Sequence, residues 1–177
     1  MITNLFETPI FVSNIDAKKI KFKHEKISVT KDWISKTVSS HNNKNVLTEE
    51  STKYLMDCII KSLDRKYRNY EVALMNIWTN KYIKDDYQEP HIHPFSTFSF
   101  IIYKKVTKSQ TYFLSPYRDL IASFDVANVF ESMHELQCQN NQMVIFPSFV
   151  KHGVHKNSGN ETMAGNLKFR FRNESNR

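Results

Sequence analysis

The stretch QMVIFPSF, residues 142–149, is a run of β-branched and aromatic residues that closes on a proline turn. Such a run is typical of a buried β-strand. Four other stretches from residue 70 onward share this composition, and polar, turn-like segments separate them. They are EVALMNIWTN (71–80), STFSFIIYKK (96–105), QTYFLSP (110–116) and AGNLKFRFR (164–172). Residues 70–172 are therefore predicted to form an all-β core.

The first 69 residues have a different pattern, which mixes helical and strand signals. Strands are predicted over Leu5–Val12 and over 17–24, where apolar residues alternate with lysines. A short helix is predicted over residues 31–39, after the N-cap candidate Thr30.

A longer helix is predicted from the N-cap Thr48 to about Tyr67, because Leu55, Ile59 and Leu63 recur at helical spacing. No linker rich in Pro, Gly or Ser divides the chain. We therefore expect one domain over residues 1–177, in which residues 1–69 support the β core at 70–172. The predicted fold class is mainly β with N-terminal helices, arranged as helices against a β-sandwich or jelly roll.

The net charge of +7 and the sequence pI of about 9.3 are compatible with a polyanionic partner such as nucleic acid. The alternative is a Lys- and Asn-rich composition of the kind that an AT-rich genome produces. Scattered basic residues favour this alternative.

Two cysteines, Cys58 and Cys138, are too few for a disulfide framework, which indicates a reduced intracellular setting. Cys58 flanks the stripe of the longer helix and is expected to be buried and inert. The first residues lack the layout of a signal peptide, and no apolar run is long enough to span a bilayer. We therefore expect a soluble cytoplasmic protein.

Three of the seven histidines are candidate metal ligands. His91 and His93 lie in EPHIHP (89–94), where two prolines favour an extended chain that points both imidazoles to one face. His152 follows the strand at 142–149. Three neutral imidazoles suit iron, zinc, copper or nickel. A pair of surface histidines at a strand end would produce the same His-x-His pattern.

The other histidines are predicted to lie outside such a site. His155 should face away from His152 on a strand, and His134, His24 and His41 are predicted to be exposed. A solvated turn is predicted for the acidic residues that precede the histidine pair, namely Asp85, Asp86 and Glu89.

Five short motifs occur along the chain in a recognisable order, and they are densest over residues 76–171. They are Trp78-Thr79-Asn80, His91-Ile92-His93-Pro94, Ser99-Phe100-Ile101-Ile102-Tyr103, Ser115-Pro116 and the run from Phe146-Pro147-Ser148 to His152-Gly153-Val154. In order and spacing this set resembles the 2-oxoglutarate/Fe(II) oxygenase superfamily, in the branch common in marine bacteria and tailed phages. The opening LFETP (5–9) is also similar to that branch.

The resemblance implies a double-stranded β-helix, which is a cupin-like jelly roll. It implies Fe(II) held by His91, His93 and His152, chelated by 2-oxoglutarate, with an open position for O2. The implied activity is a hydroxylase that couples oxidation of a C–H bond to formation of succinate and CO2. Trp78 and Phe146 are expected to serve in core packing. For a viral protein, the location would be the host cytoplasm.

Two departures from the superfamily stand out. Most members carry Asp or Glu where His93 stands, so zinc or nickel is an alternative to iron. The superfamily's carboxylate-binding Arg is absent from the expected window at 160–164. We expect Lys168 or Arg170 to replace it if their side chains point into the barrel. Asn80 and Tyr103 match motif positions whose groups hydrogen-bond the oxoacid or the substrate in related enzymes.

The sequence leaves the substrate open among a prolyl or other peptidyl side chain, a small metabolite and nucleic acid. A homodimer is compatible with it. The alternative functions are a metal- or ligand-binding cupin-like protein without oxygenase activity and an inactive viral structural or interaction protein.

Overall fold

The computed structural model describes residues 8–31, 35–67, 69–107, 111–124, 126 and 128–172. Thirteen strands are present in these ranges: β1 Phe11–Asn14, β2 Phe22–His24, β3 Ser28–Lys31, β4 Ser35–Ser39, β5 Val46–Leu47, β6 Tyr70–Lys81, β7 Asp86–His91, β8 Phe98–Lys105, β9 Thr111–Leu114, β10 Met133–Glu135, β11 Gln142–Pro147, β12 His152–Asn157 and β13 Glu161–Phe171. The α-helices there are α1 Glu49–Ser62 and α2 Arg118–Ser123. Two 3-10 turns are found at Ala17–Lys19 and Arg65–Tyr67.

Eleven of these strands form one curled antiparallel sheet in the order β1-β11-β8-β13-β6-β4-β7-β12-β9-β10, with β3 paired to β4. The other two, β2 and β5, pair with each other. The fold is the jelly roll predicted from residues 70–172, and each of the five apolar stretches contains a strand.

Two apolar clusters lie on opposite faces of the curled sheet. On β8, Phe100 and Ile102 pack in the cluster that includes α1, whereas Ile101 and Tyr103 pack in the barrel interior. Strand β11 alternates in the same way. Because both faces of these strands are buried, their sequences are nearly continuous apolar runs.

Helix α1 begins and packs as predicted but ends earlier. Thr48 caps it, since its side chain accepts a hydrogen bond from the Ser51 backbone N–H, and Leu55, Ile59 and Leu63 are buried. The helix ends at Ser62 rather than near Tyr67, because the backbone at Leu63 is extended. Cys58 is partly buried against the same cluster.

The predicted helix over 31–39 is wrong. Strands β3 and β4 form a hairpin there, with Val29 opposite Val38 and Thr30 opposite Thr37. β-Branched residues favour such cross-strand pairs over a helix. Of this segment, residues 32–34 lie outside the described residues.

Both N-terminal strand predictions were too long. Of Leu5–Val12, the strand includes only the last two residues, because pairing with β11 begins at Phe11; residues 5–7 lie outside the described part. Of 17–24, the first three residues form a 3-10 turn in which the Asp16 side chain accepts from the Lys18 N–H. Strand β2 occupies only Phe22–His24 of that segment.

The predicted solvated turn is wrong for Asp86, whose surface is 1% exposed. Its carboxylate accepts from the Ile83 N–H at 2.8 Å and lies 3.4 Å from the Lys36 Nζ. These contacts tie β4 to the turn before β7 and compensate the buried charge. Asp85 and Glu89 are exposed as predicted.

No helix in the described residues is both long enough and apolar enough to cross a bilayer.

Candidate metal centre

Three predicted histidines meet at one end of the barrel. His91 ends β7, His93 follows two residues later, and His152 begins β12 directly opposite His91 in the strand register. One ring nitrogen from each lies within 4.8 Å of the other two. A facial set of three imidazole nitrogens is a suitable site for a first-row transition metal.

Backbone carbonyls orient two of these rings. The Nδ1 of His91 is 2.8 Å from the Glu89 carbonyl oxygen, and the Nδ1 of His152 is 3.0 Å from that of Val150. A carbonyl only accepts, so both Nδ1 atoms carry the proton and donate it. Each Nε2 then keeps a lone pair for a metal, as in most histidine metal sites.

Burial lowers the pKa of all three histidines. It lowers the pKa of His93 to about 3, and it lowers the pKa of His91 and, more strongly, of His152. The rings are therefore neutral at physiological pH, which is the state that binds metal. The donor set and its protonation fit the divalent iron that the sequence motifs imply.

The remaining histidines are not members of the cluster, although His41 lines a groove beside it. His155 stacks on Tyr112 and its Nε2 is 3.2 Å from a Glu135 carboxylate oxygen. His134, His24 and His41 are exposed, as predicted. The structure thus brings His152, rather than His155, to His91 and His93.

A narrow inner cavity continues from the cluster into the barrel. Asn80, Thr162 and Tyr103 lie side by side on β6, β13 and β8 and line it. The other uncharged polar residues of its lining are Tyr82, Gln88, Ser99, Thr111 and Asn160, and no Lys or Arg side chain among the described residues lines it. Trp78 and Phe146 are 4% and 0% exposed, in agreement with the predicted core packing.

Lys168 and Arg170 do not reach this cavity. Alternation along β13 turns Thr162 and Ala164 inward, but β13 pairs with β8 only as far as Leu167. Beyond that point the strand projects past the barrel, so both basic side chains are exposed. The Lys168 Nζ donates instead to the Phe95 carbonyl oxygen at 2.9 Å.

Sequence reasoning missed Gln88, Thr111 and Thr162. The signal for Thr162 was available, since it lies in the window searched for a basic residue, ten residues after His152. Gln88 and Thr111 belong to strands whose pairing across the barrel only the structure shows.

A second, wider cavity of about 450 Å³ opens outside the cluster. One wall is β4 with the turn after it, including His41, and Ile92 and Pro94 form another. His91 and His93 line this outer groove as well as the inner cavity. Its volume suits a small molecule or one side chain of a larger one.

Comparison with known protein families decides the identity. A family model described as "Putative 2OG-Fe(II) oxygenase" matches residues 76–164, which is half of the chain. The chain belongs to this 2OG-Fe(II) oxygenase family. The oxygenase is therefore an oxidoreductase whose family uses Fe(II), 2-oxoglutarate and O2. No curated protein sequence matches it.

Solved structures from two bacteria share the fold of the oxygenase. A 2OG-Fe(II) oxygenase family oxidoreductase from Burkholderia pseudomallei is 11% identical, with a TM-score of 0.52 over 82% of this chain and 73% of that one. A Pseudomonas putida prolyl-4-hydroxylase is 14% identical, with a TM-score of 0.52 over 84% and 79%. A collagen prolyl hydroxylase of Paramecium Bursaria Chlorella virus-1, solved with 2OG, is 7% identical, with a TM-score of 0.49 over 76% and 79%.

Proposed function

We propose that His91, His93 and His152 hold Fe(II) in a hydroxylase whose oxoacid site is the inner cavity and whose substrate site is the outer groove. The observation that carries this proposal is the convergence of three neutral imidazoles where the two cavities meet. When bound, Fe(II) with 2-oxoglutarate and O2 supplies the oxidation of a C–H bond to C–OH, with succinate and CO2 as co-products.

The chain's own residues hold and shield this centre. Phe113 and Phe146 pack around the His152 ring, with ring centroids 6.1 and 4.6 Å away. The His93 backbone N–H donates to the Ser148 carbonyl oxygen at 3.0 Å, which fixes the loop after β7. Apolar packing around the His152 ring shields that side of the centre, and the outer groove is the proposed route of entry.

Asn80 and Tyr103 are proposed to contact the oxoacid. Both are nearly fully buried and line the inner cavity. The Tyr103 hydroxyl donates to the Thr111 Oγ1 at 2.9 Å, and burial raises its pKa well above the usual value, so it stays neutral. Hydroxyl and amide groups of this kind select a polar ligand over an apolar one.

The substrate is proposed to present an uncharged group to the outer groove, because no Asp, Glu, Lys or Arg side chain among the described residues lines that groove. A peptidyl side chain, including prolyl, and a neutral metabolite both meet this requirement. We further propose that the protein acts in the cytoplasm.

The direct test is succinate formation. Protein incubated in air with Fe(II) and 2-oxoglutarate should form succinate slowly without substrate and faster when the correct substrate is added. Zn(II) or Ni(II) in place of Fe(II) should give none. If the rate with Fe(II) equals that of a protein-free control, the hydroxylase proposal fails.

A further inference from the structure

The inner cavity adjoins the histidine cluster, but no Lys or Arg among the described residues gives its lining the fixed positive charge that usually accompanies a buried carboxylate. Without a cation, a buried anion must be stabilised by hydrogen-bond donors alone. Its lining includes three carboxamides, those of Asn80, Gln88 and Asn160. The orientation of a carboxamide decides whether it offers a donor or an acceptor.

Ser39 determines the orientation of Asn80. The Ser39 hydroxyl donates to the Asn80 Oδ1 at 2.7 Å and accepts from the His41 backbone N–H at 3.0 Å. Ser39 is 2% exposed and Asn80 is 3% exposed. A flipped amide would leave the buried Ser39 hydroxyl hydrogen without its acceptor, which is costly. The amide nitrogen of Asn80 is therefore directed away from Ser39, towards the cavity that Asn80 lines.

Tyr82 acts on Gln88 in the same way. Its buried hydroxyl donates to the Gln88 Oε1 at 2.8 Å, which turns the Nε2 of Gln88 away from Tyr82. Burial raises the pKa of Tyr82 far above its usual value, so the phenol remains a neutral donor. Among the described residues, no acceptor is paired with either amide nitrogen.

Hydroxyl groups add donors beside Asn80. Thr162 is its neighbour on β13, and the next residue across the sheet is Tyr103. Thr111, whose Oγ1 lies 2.9 Å from the Tyr103 hydroxyl, also lines the cavity. Neutral donors that converge on one site can hold an anion, as in oxyanion holes.

We infer that Asn80 and Gln88 bind a carboxylate of the oxoacid through their amide N–H groups, with Ser39 and Tyr82 as positioning residues, so that neutral donors form an anion site in the cavity. This inference rests on the proposed function. It assigns to neutral side chains the role that an arginine has elsewhere in the superfamily.

The test compares Asn80→Ala with Asn80→Asp in the Fe(II)-loaded protein without oxygen. Alanine removes one donor, so the dissociation constant for 2-oxoglutarate should rise about tenfold or more. Aspartate still accepts from Ser39 but presents a negative oxygen, so it should weaken binding further than alanine does. Asn76→Asp makes the same change at an exposed position of β6 and should leave binding unchanged.

A second pair tests the positioning role without changing the lining amide. Ser39→Ala releases Asn80 to rotate and should weaken 2-oxoglutarate binding severalfold, whereas Ser39→Thr keeps the hydroxyl and should restore it. Fe(II) affinity, measured without 2-oxoglutarate, should be unchanged in every variant, which separates this effect from damage to the histidine cluster.

The outcomes distinguish the two proposals. If the parent protein binds Fe(II) but not 2-oxoglutarate, the proposed function fails, and this inference fails with it. If the parent binds 2-oxoglutarate and Asn80→Asp binds it as well as Asn80→Ala or better, only the proposed anion site of neutral donors is overturned. Equal binding by Ser39→Ala and Ser39→Thr would refute the positioning role.

Discussion

At the scale of single residues, the histidines were the most predictable part of the site. A two-residue spacing in an extended chain already placed His91 and His93 on one face, and the proline turn singled out His152. The structure brings these three rings together and leaves His155 stacked on Tyr112. Their role as metal ligands remains a prediction.

Replacing His152 by Ala should abolish Fe(II) binding, because two imidazoles cannot complete the site. His155→Ala, three residues away on β12, is the matched control and should bind Fe(II) like the parent. Isothermal titration without oxygen measures both. An unchanged affinity in His152→Ala would show that the cluster is not the metal site.

The metal-free protein should lose stability as pH falls. The pKa of a buried neutral histidine is lower in the folded state than in the unfolded chain, so the unfolded chain binds more protons below about pH 6.5. The free energy of unfolding is therefore highest above that pH. It decreases as pH falls towards the pKa of the folded state, which for His93 is about 3. Urea midpoints at pH 7.5 and 5 should differ less in His93→Gln than in the parent; equal differences would contradict this.

The alternation of side chains along β13 was not enough to place Lys168 and Arg170 correctly. Alternation places Lys168 on the same face of β13 as Thr162, but it does not show where the barrel ends. That limit depends on how far β8 extends alongside β13, which is a property of strand pairing.

At the scale of elements, helices and strands with a clear apolar pattern in their own sequence were predicted. Elements without such a pattern were not. The cap and apolar stripe of α1 and the five buried stretches were recognisable because burial produces them directly. The hairpin β3–β4 was mistaken for a helix, although its β-branched residues favour strands, because the pairing of β4 with β6 and β7 joins segments that are distant in sequence.

Helix α1 should depend on the residues that it buries. Leu55→Ala should lower the free energy of unfolding by about 2–5 kcal/mol, because Leu55 is fully buried in the cluster on the helix side. Ile60→Ala changes a half-exposed residue of the same helix and should cost much less. Urea denaturation measures both; similar losses would argue against the predicted contribution of the apolar stripe.

At the scale of the whole molecule, the jelly roll positions the site by bringing β7 beside β12 at one end of the barrel. The sequence motifs predicted the fold and the family, because both depend on short segments in a fixed order. They did not predict the neutral lining of the inner cavity, which depends on side chains from seven strands and three connecting segments that meet across the barrel. The extent of one domain over residues 1–177 remains a prediction.

The central claim is that the histidine cluster binds Fe(II) together with 2-oxoglutarate. Adding both to the protein without oxygen should produce a visible metal-to-ligand charge-transfer band. The band should be absent from His91→Ala and present in His155→Ala. No band in the parent protein, or an equal band in His91→Ala, would contradict the account.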